Sequence, residues 1–216
     1  ILKMLLMLIL SICWLFTGCG REEAQIKTEH LPNGMVLKTY PYKDFTKIHF
    51  SGMMNVVLKY APQYEVKIKS KEEVLKHFDI ILEEENLDII AQEVENLPFA
   101  LFLEIYISLP DLKALEADNN CTIELSGFKG PSLSVRTTGT ASVEGSDSSY
   151  NQLNMDIQNA CTIDFKKVQA TNADIHLKGA SVVEIFMNGG LLEGSVSNVG
   201  IIFYDGTISS NAVKIN

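Results

Sequence analysis

The stretch Asn119-Asn120-Cys121-Thr122-Ile123-Glu124-Leu125 decides the fold, because it recurs at intervals of about twenty residues. The copies begin at Gly139, Asn159, Gly179 and, one residue early, Asn198. A fixed period of this length with alternating apolar residues is typical of a solenoid of stacked strands. The repeat therefore predicts an all-β fold, a β-solenoid with coils of about 20 residues. The Asn or Gly that opens each copy fits a corner, since both types tolerate left-handed backbone.

Residues twenty apart sort into columns that face inward, which buries a continuous core. The repeated stretch supplies a small column (Cys121, Ala141, Cys161, Ser181, Gly200) and a β-branched one (Ile123, Val143, Ile163, Val183, Ile202). A second strand in each coil supplies two more (Leu115, Val135, Met155, Ile175; Ala117, Thr137, Ile157, Leu177).

Cys121 and Cys161 occupy the same position two coils apart. At ~4.8 Å per coil their Cα atoms would lie ~9.6 Å apart. A disulfide needs less than about 7 Å. The register therefore predicts two free, buried thiols.

The remainder divides into a lead-in and a strand-rich N-terminal half. Residues 19–44 are polar and read as a tether and lead-in, and residues 45–216 as one domain, in which 45–110 precede the regular coils of 111–216. Ser70, with Glu73 three residues on, has the chemistry of a helix start and predicts a short helix of one or two turns over 70–77. Glu83-Glu84-Glu85-Asn86 predicts a hairpin tip between two apolar runs.

The first eighteen residues predict an export signal, since 5–16 are almost wholly apolar and Lys3 precedes them. Leu15-Phe16-Thr17-Gly18-Cys19 resembles a bacterial lipobox, which implies cleavage before Cys19 and its lipidation. An ordinary signal peptide with a chance cysteine is the alternative. Arg21-Glu22-Glu23 resembles a surface-export signal or is a solvated start of the tether. We therefore expect an outer membrane lipoprotein held through Cys19, facing the periplasm or the cell surface.

The net charge of the chain limits the classes of partner that it is expected to bind. The formal net charge is −9, and it becomes −10 once residues 1–18 are removed, since that segment contains Lys3 and no acid. Such a surface repels phosphates, so nucleic acid is not an expected partner.

Several segments together resemble a known family. These are Asp44-Phe45, Ile48-His49-Phe50-Ser51-Gly52, Asn55-Val56-Val57-Leu58 and Tyr106-Ile107-Ser108-Leu109-Pro110. They are similar to the head GIN domain, a family described as a putative auto-transporter adhesin and common in lipoproteins of Bacteroidetes. The resemblance covers about residues 40–216. It implies a right-handed parallel β-helix and brings neither a catalytic residue nor a defined ligand.

Two outward-facing sets are candidate sites. The first is an acidic ladder (Glu124, Glu144, Asp164, Glu184), which either binds a cation such as Ca²⁺ or forms a solvated face. The second is a contact patch (Val182, Ile201, Phe203), apolar where earlier coils are polar. Exposed apolar patches mark contacts. We expect the N-terminal lead-in or a second subunit to cover this one.

We expect the remaining polar residues to have structural roles. Glu116, Arg136, Asp156 and His176 form an outward column, which favours pairing across coils over catalysis. The histidines and cysteines lack zinc spacing, so no metal site is predicted. Without an aromatic platform or a cleft signal beside the carboxylates, no catalytic residue is predicted, and no cofactor is expected.

These observations predict a non-enzymatic envelope lipoprotein, a binding or structural module of adhesin-like character. Its partner would be a second copy, a glycan or a protein surface. The alternative is a carbohydrate-active or polysaccharide-binding β-helix. A lyase of that kind would show a basic groove, whereas the most regular ladder here is acidic.

Overall fold

The computed structural model describes residues 25–92 and 103–216. The predictions for the signal segment 1–18, Cys19 and Arg21-Glu22-Glu23 lie outside the described residues. Within the described part of the chain, no helix is long and apolar enough to cross a membrane.

The described residues form 18 strands and one short α-helix, and the coils stack into a solenoid of about 5 turns. The N-terminal part contains β1 (Lys27–His30), β2 (Met35–Tyr40), β3 (Lys47–Ser51), β4 (Met54–Tyr60), β5 (Glu65–Lys71), α1 (Glu72–Leu75), β6 (Phe78–Glu83), β7 (Asn86–Ala91) and β8 (Glu104–Leu109). The coils contain β9 (Ala114–Asp118), β10 (Cys121–Ser126), β11 (Lys129–Thr137), β12 (Ser142–Ser146), β13 (Ser148–Asn159), β14 (Thr162–Gly179), β15 (Val182–Asn188), β16 (Leu191–Asn198), β17 (Ile201–Thr207) and β18 (Ser210–Ile215). A 3-10 turn, Pro32–Gly34, joins β1 to β2.

The strands stack in parallel along two faces, and the predicted period of twenty is confirmed. One stack runs β4, β10, β12, β14, β15, β17, and the other β3, β9, β11, β13, β14, β16, β18. Thr122, Ser142, Thr162 and Val182 pair in turn. Val182 then pairs with Ile201, nineteen residues on, as the early fifth copy requires.

The inward columns form the core as predicted over the first four copies of the repeat, whereas Gly200 and Ile202 of the fifth are only partly buried. Cys121, Ala141, Cys161 and Ser181 are almost wholly buried, and both cysteines are free thiols. The four positions of each second-strand column are likewise buried. The predicted corners are confirmed too, because Asn119, Gly139, Asn159, Gly179 and Asn198 all have positive φ.

Antiparallel strands cover the N-terminal end of the solenoid. β1 pairs with β2, β2 with β5 and β5 with β8, all antiparallel. Residues 27–40 therefore belong to the sheet, which differs from the tether expected over 19–44. The reason is the alternation in β2, which buries Val36 and Tyr40 against the core.

The predicted short helix exists, but the prediction that Ser70 begins it is wrong. The N-cap of α1 is Lys71, and no side chain caps it. Ser70 instead lies in β5 with Val66 and Ile68 on its buried face, because strand alternation continues to that residue. The hairpin tip is confirmed, since β6 and β7 pair antiparallel and Glu83 faces Asn86.

Candidate functional site

The acidic ladder is a column in the structure. Glu124, Glu144, Asp164 and Glu184 pair in succession. Lys166, which the sequence reasoning missed, lies between the last two. Its Nζ is 3.1 Å from the Asp164 carboxylate and 2.6 Å from that of Glu184.

Lys166 changes what the ladder can do chemically. Hydrogen bonds to Glu184 and then to Asp164 raise the pKa of Lys166, so it stays charged and competes with any cation there. Glu124 and Glu144 are exposed to solvent. Among the described residues, no group of three or more His, Cys, Asp or Glu side chains is arranged to hold a metal ion.

The outward column on the neighbouring face carries alternating charges. Arg136 lies 3.9 Å from both Glu116 and Asp156, which confirms the predicted pairing across coils. His176 pairs in register with Asp156, but among the described residues its ring nitrogens bond elsewhere. Its ring lies 3.2 Å from Asp174 and 2.9 Å from the Ser195 hydroxyl.

The column extends into the N-terminal part through His49, which pairs in register with Glu116. Its Nδ1 lies 3.2 Å from Asp88 and its Nε2 3.0 Å from Asp118. Burial acts to raise the pKa of Asp118, but hydrogen bonds from Thr138 and His49 lower it overall. The sequence could not indicate this cluster, because its members come from segments far apart in the chain.

An open polar groove of about 460 Å³ crosses consecutive coils where β11, β13 and β14 turn. Lys129, Ser149 and Gln169 pair in register along it. Its described lining consists of Lys129, Gly130, Ser149, Tyr150, Asn151, Gln169, Ala170, Thr171 and Asn188. The sequence reasoning missed the groove, although the polar residues at spacings of twenty were a signal for it.

Tyr150 lines the groove but is itself buried. Its hydroxyl has no hydrogen-bond partner among the described residues. Burial, with a smaller contribution from the Asp111 carboxylate, raises the pKa of Tyr150, so the phenol is neutral. A buried, unpaired hydroxyl is costly unless a partner satisfies it. Gly130 keeps the space beside the ring open, since a Cβ there would lie 3.3 Å from Cε1 of Tyr150.

The contact patch lies at the C-terminal end of the stack. Val182 is half-buried, whereas Ile201 is 46% and Phe203 54% exposed. The ends of the inward columns are also open here, and Leu192, Val196, Ile202, Val213 and Ile215 contribute to a cavity of about 350 Å³. The described lead-in does not cover this patch, because β2 lies beside β5 at the other end of the stack.

A comparison with known protein families shows to which family this solenoid belongs. The family described as "Putative auto-transporter adhesin, head GIN domain" matches residues 44–208. The chain belongs to this family. The match covers β3 to β17, whereas β1 and β2 lie before it. It therefore confirms the resemblance carried by the opening strands.

Solved structures share the head GIN fold at low sequence identity. A putative adhesin from Bacteroides fragilis aligns with a TM-score of 0.67 and 13% identity, covering 85% of this chain and 94% of that one. A putative adhesin from Parabacteroides distasonis gives a TM-score of 0.51 and 13% identity, covering 87% and 100%. None of the curated proteins matched this sequence. At such identities these neighbours show a common fold, and the family and both neighbours are described as putative adhesins.

Proposed function

We propose that this head GIN protein is a non-enzymatic, lipid-anchored envelope protein with an adhesin-like role, and that it binds glycans in the polar groove. The observation that carries the proposal is the polar lining of that groove, along which Lys129, Ser149 and Gln169 align on consecutive coils.

The rest of the described lining has matching chemistry. Asn151, Gln169 and Asn188 offer amides, Ser149 and Thr171 hydroxyls, and Lys129 an ammonium group. Each amide both donates and accepts hydrogen bonds, which suits a chain of sugar hydroxyls. Canonical glycoside hydrolysis needs two carboxylates that flank the scissile bond, so this lining favours binding over cleavage.

The proposed location rests on the sequence. The apolar segment that ends at Leu15-Phe16-Thr17-Gly18-Cys19 supports lipidation of Cys19 and anchoring in the outer membrane. A protein held on a membrane presents many copies side by side. Weak contacts with a repeating glycan then add up through effective concentration.

Glycan-array binding of the purified protein, with and without Ca²⁺, tests this function. We expect binding to a defined set of glycans, and a loss of at least tenfold in Asn151→Ala and in Gln169→Ala, both at exposed positions of the lining. Ser134→Ala, on an exposed position of β11 outside the described groove lining, is the matched control. The absence of binding to any glycan, or equal binding by all variants, would contradict the proposal.

The Ca²⁺ arm of the array separates the groove from the acidic ladder. We expect glycan binding in the groove to be independent of Ca²⁺. Binding that requires Ca²⁺ and is lost in Glu124→Gln or Glu144→Gln would instead assign the ligand site to the ladder. Each of those variants removes one charge and keeps the side-chain shape.

A further inference from the structure

We infer that the polar groove accepts a linear β-1,4-linked glycan, which lies along the solenoid axis with one sugar residue on each coil. This inference rests on the proposed glycan binding and names the class of chain that the same groove selects. The observation behind it is a zigzag of N–H-bearing side chains, which change sides of the groove from one coil to the next.

The groove follows the axis of the solenoid and not the path of a single coil. Four consecutive coils contribute polar side chains to its described lining: Lys129, then Ser149 and Asn151, then Gln169 and Thr171, then Asn188. Neighbouring coils lie ~4.8 Å apart, so this lining extends over roughly 14 Å. A pyranose residue advances an extended glycan chain by a length close to one coil spacing. The lining therefore matches about four sugar residues, one on each coil.

Two rows of side chains flank the groove. The Lys129 row consists of Lys129, Ser149 and Gln169, and the Asn151 row consists of Asn151, Thr171 and Asn188. The first row pairs in register directly. The second row follows from the pairing of Ala170 with both Tyr150 and Met187, since each of its members comes one residue after one of these three. Residues two apart in a strand point to the same side, so the rows stand on either side of the buried Tyr150 and Ala170.

The side chains that carry N–H groups alternate between these rows. On successive coils they are Lys129, Asn151, Gln169 and Asn188, which belong to the Lys129 row and the Asn151 row in turn. All four positions are exposed to solvent. Half-buried hydroxyl groups, those of Ser149 and Thr171, stand across the groove from Asn151 and Gln169. The chemistry of the lining therefore repeats every two coils, a distance of ~9.6 Å.

A β-1,4-linked chain has the same two-unit repeat. Each pyranose ring is turned over relative to the ring before it, so a given substituent points to opposite sides on consecutive sugars. Every sugar can then present the same substituent to an N–H group of the zigzag. Amides donate and accept hydrogen bonds and the Lys129 ammonium group donates, so that substituent must accept a hydrogen bond, as hydroxyl and acetamido groups do. An α-1,4-linked chain coils and a branched chain is wider, so neither keeps this match along the axis.

Calorimetric titration of the full chain in detergent tests the linkage and the length of the glycan. The probes are β-1,4-linked oligomers of glucose and of N-acetylglucosamine, each as a dimer and a tetramer, and the α-1,4-linked glucose tetramer. We expect at least one β-1,4-linked tetramer to bind at least tenfold more tightly than its own dimer and than the α-1,4-linked tetramer. Equal affinities for the dimer and tetramer, or for the two linkages, would overturn the inference.

A double variant, Ser149→Asn with Asn151→Ser, tests the zigzag itself. It keeps both side chains but exchanges their rows, so that the N–H groups of three successive coils lie in the Lys129 row. We expect tetramer binding at least tenfold weaker than in the parent, whereas the control Ser134→Ala should bind as the parent does. Unchanged tetramer binding in the double variant would mean that the alternation plays no part. Circular dichroism checks that the double variant is folded, and the comparison of oligosaccharides stands without it.

Failure of this inference can be told apart from failure of the proposed function. Binding of α-linked or branched glycans that is lost in Asn151→Ala and Gln169→Ala would keep the groove as a glycan site and overturn the β-1,4 assignment. The absence of binding to any glycan would overturn both.

Discussion

Gly145 faces the ring of Phe165 in the following coil, and both residues occupy one inward column. A Cβ added at Gly145 would lie 2.8 Å from Cδ1 of Phe165 and 2.5 Å from Cγ2 of Val168. The repeat has Leu125 at the same position one coil earlier. The core is thus filled by a small residue beside a large one, as close packing requires.

We expect Gly145→Ala to destabilise the protein by about 1–3 kcal/mol, because the added methyl group overpacks a rigid core. Urea unfolding followed by circular dichroism measures the loss. Phe165→Leu frees space at the same point, so the double variant should lose less than the sum of the two single losses. Strictly additive losses would mean that the two residues do not compete for the same space.

The repeat allowed the coils to be predicted, because each residue there has an equivalent twenty positions away. Cys121 and Cys161 were placed correctly by that rule alone. The N-terminal end follows no period, so Ser70 was assigned to a helix although it lies in a strand. The position of Lys166 and the shape of the groove around Tyr150 depend on the directions in which side chains leave the corners between strands. The spacing of residues along the sequence does not specify those directions.

Ser70 and Ser148 are both buried, but only one of them is hydrogen-bonded. The Ser70 hydroxyl has no partner among the described residues. The Ser148 hydroxyl donates to the Ser146 carbonyl at 2.8 Å and accepts from the Phe128 amide at 3.1 Å. Substitution by alanine should therefore have opposite consequences at these two sites.

We expect Ser148→Ala to lower the free energy of unfolding by about 1–3 kcal/mol, because it leaves the buried Phe128 amide unpaired. Ser70→Ala should leave stability unchanged or raise it, because it removes an unsatisfied hydroxyl. Denaturant titration of both variants makes the comparison. A loss of about 0.5–2 kcal/mol in Ser70→Ala would instead support the helix-capping role that the structure contradicts.

Glu85 gives the hairpin tip a stability that depends on pH. Hydrogen bonds from Lys47 and then Thr46 lower the pKa of Glu85 to about 2, from 4.5. The Glu85 carboxylate lies 2.9 Å from Lys47 Nζ and 2.7 Å from the Thr46 hydroxyl. Because the folded pKa lies below the unfolded one, the stabilisation is present above about pH 4.5 and is lost as pH falls towards 2.

We expect Glu85→Gln to lower the thermal midpoint at pH 7, and the difference from the parent to shrink between pH 4.5 and 2. High salt should also reduce this difference in thermal midpoint, since the Glu85–Lys47 ion pair is exposed. Glu83→Gln, at an exposed position of β6, is the control and should show no such window. If the difference in thermal midpoint stays constant across this pH range, the substitution acts through the changed shape of the side chain and not through its lost charge.

Cys121 should be unreactive for as long as the protein is folded. Burial, with a smaller contribution from Asp118, raises the pKa of Cys121 to about 12, so almost no thiolate exists at pH 8. Its Sγ also lies 3.1 Å from the Gly52 carbonyl and 3.2 Å from that of Asp118. Cys161 is equally buried two coils away.

We expect iodoacetamide at pH 8 to modify neither Cys121 nor Cys161 in the native protein. In about 8 M urea, which unfolds the chain, we expect it to modify both. Peptide mapping by mass spectrometry assigns each modification to its residue. The parallel register holds these thiols two coils apart, beyond the reach of a disulfide. A Cys121–Cys161 disulfide in the unreduced protein would therefore disprove the register itself, while rapid native labelling would disprove only the burial.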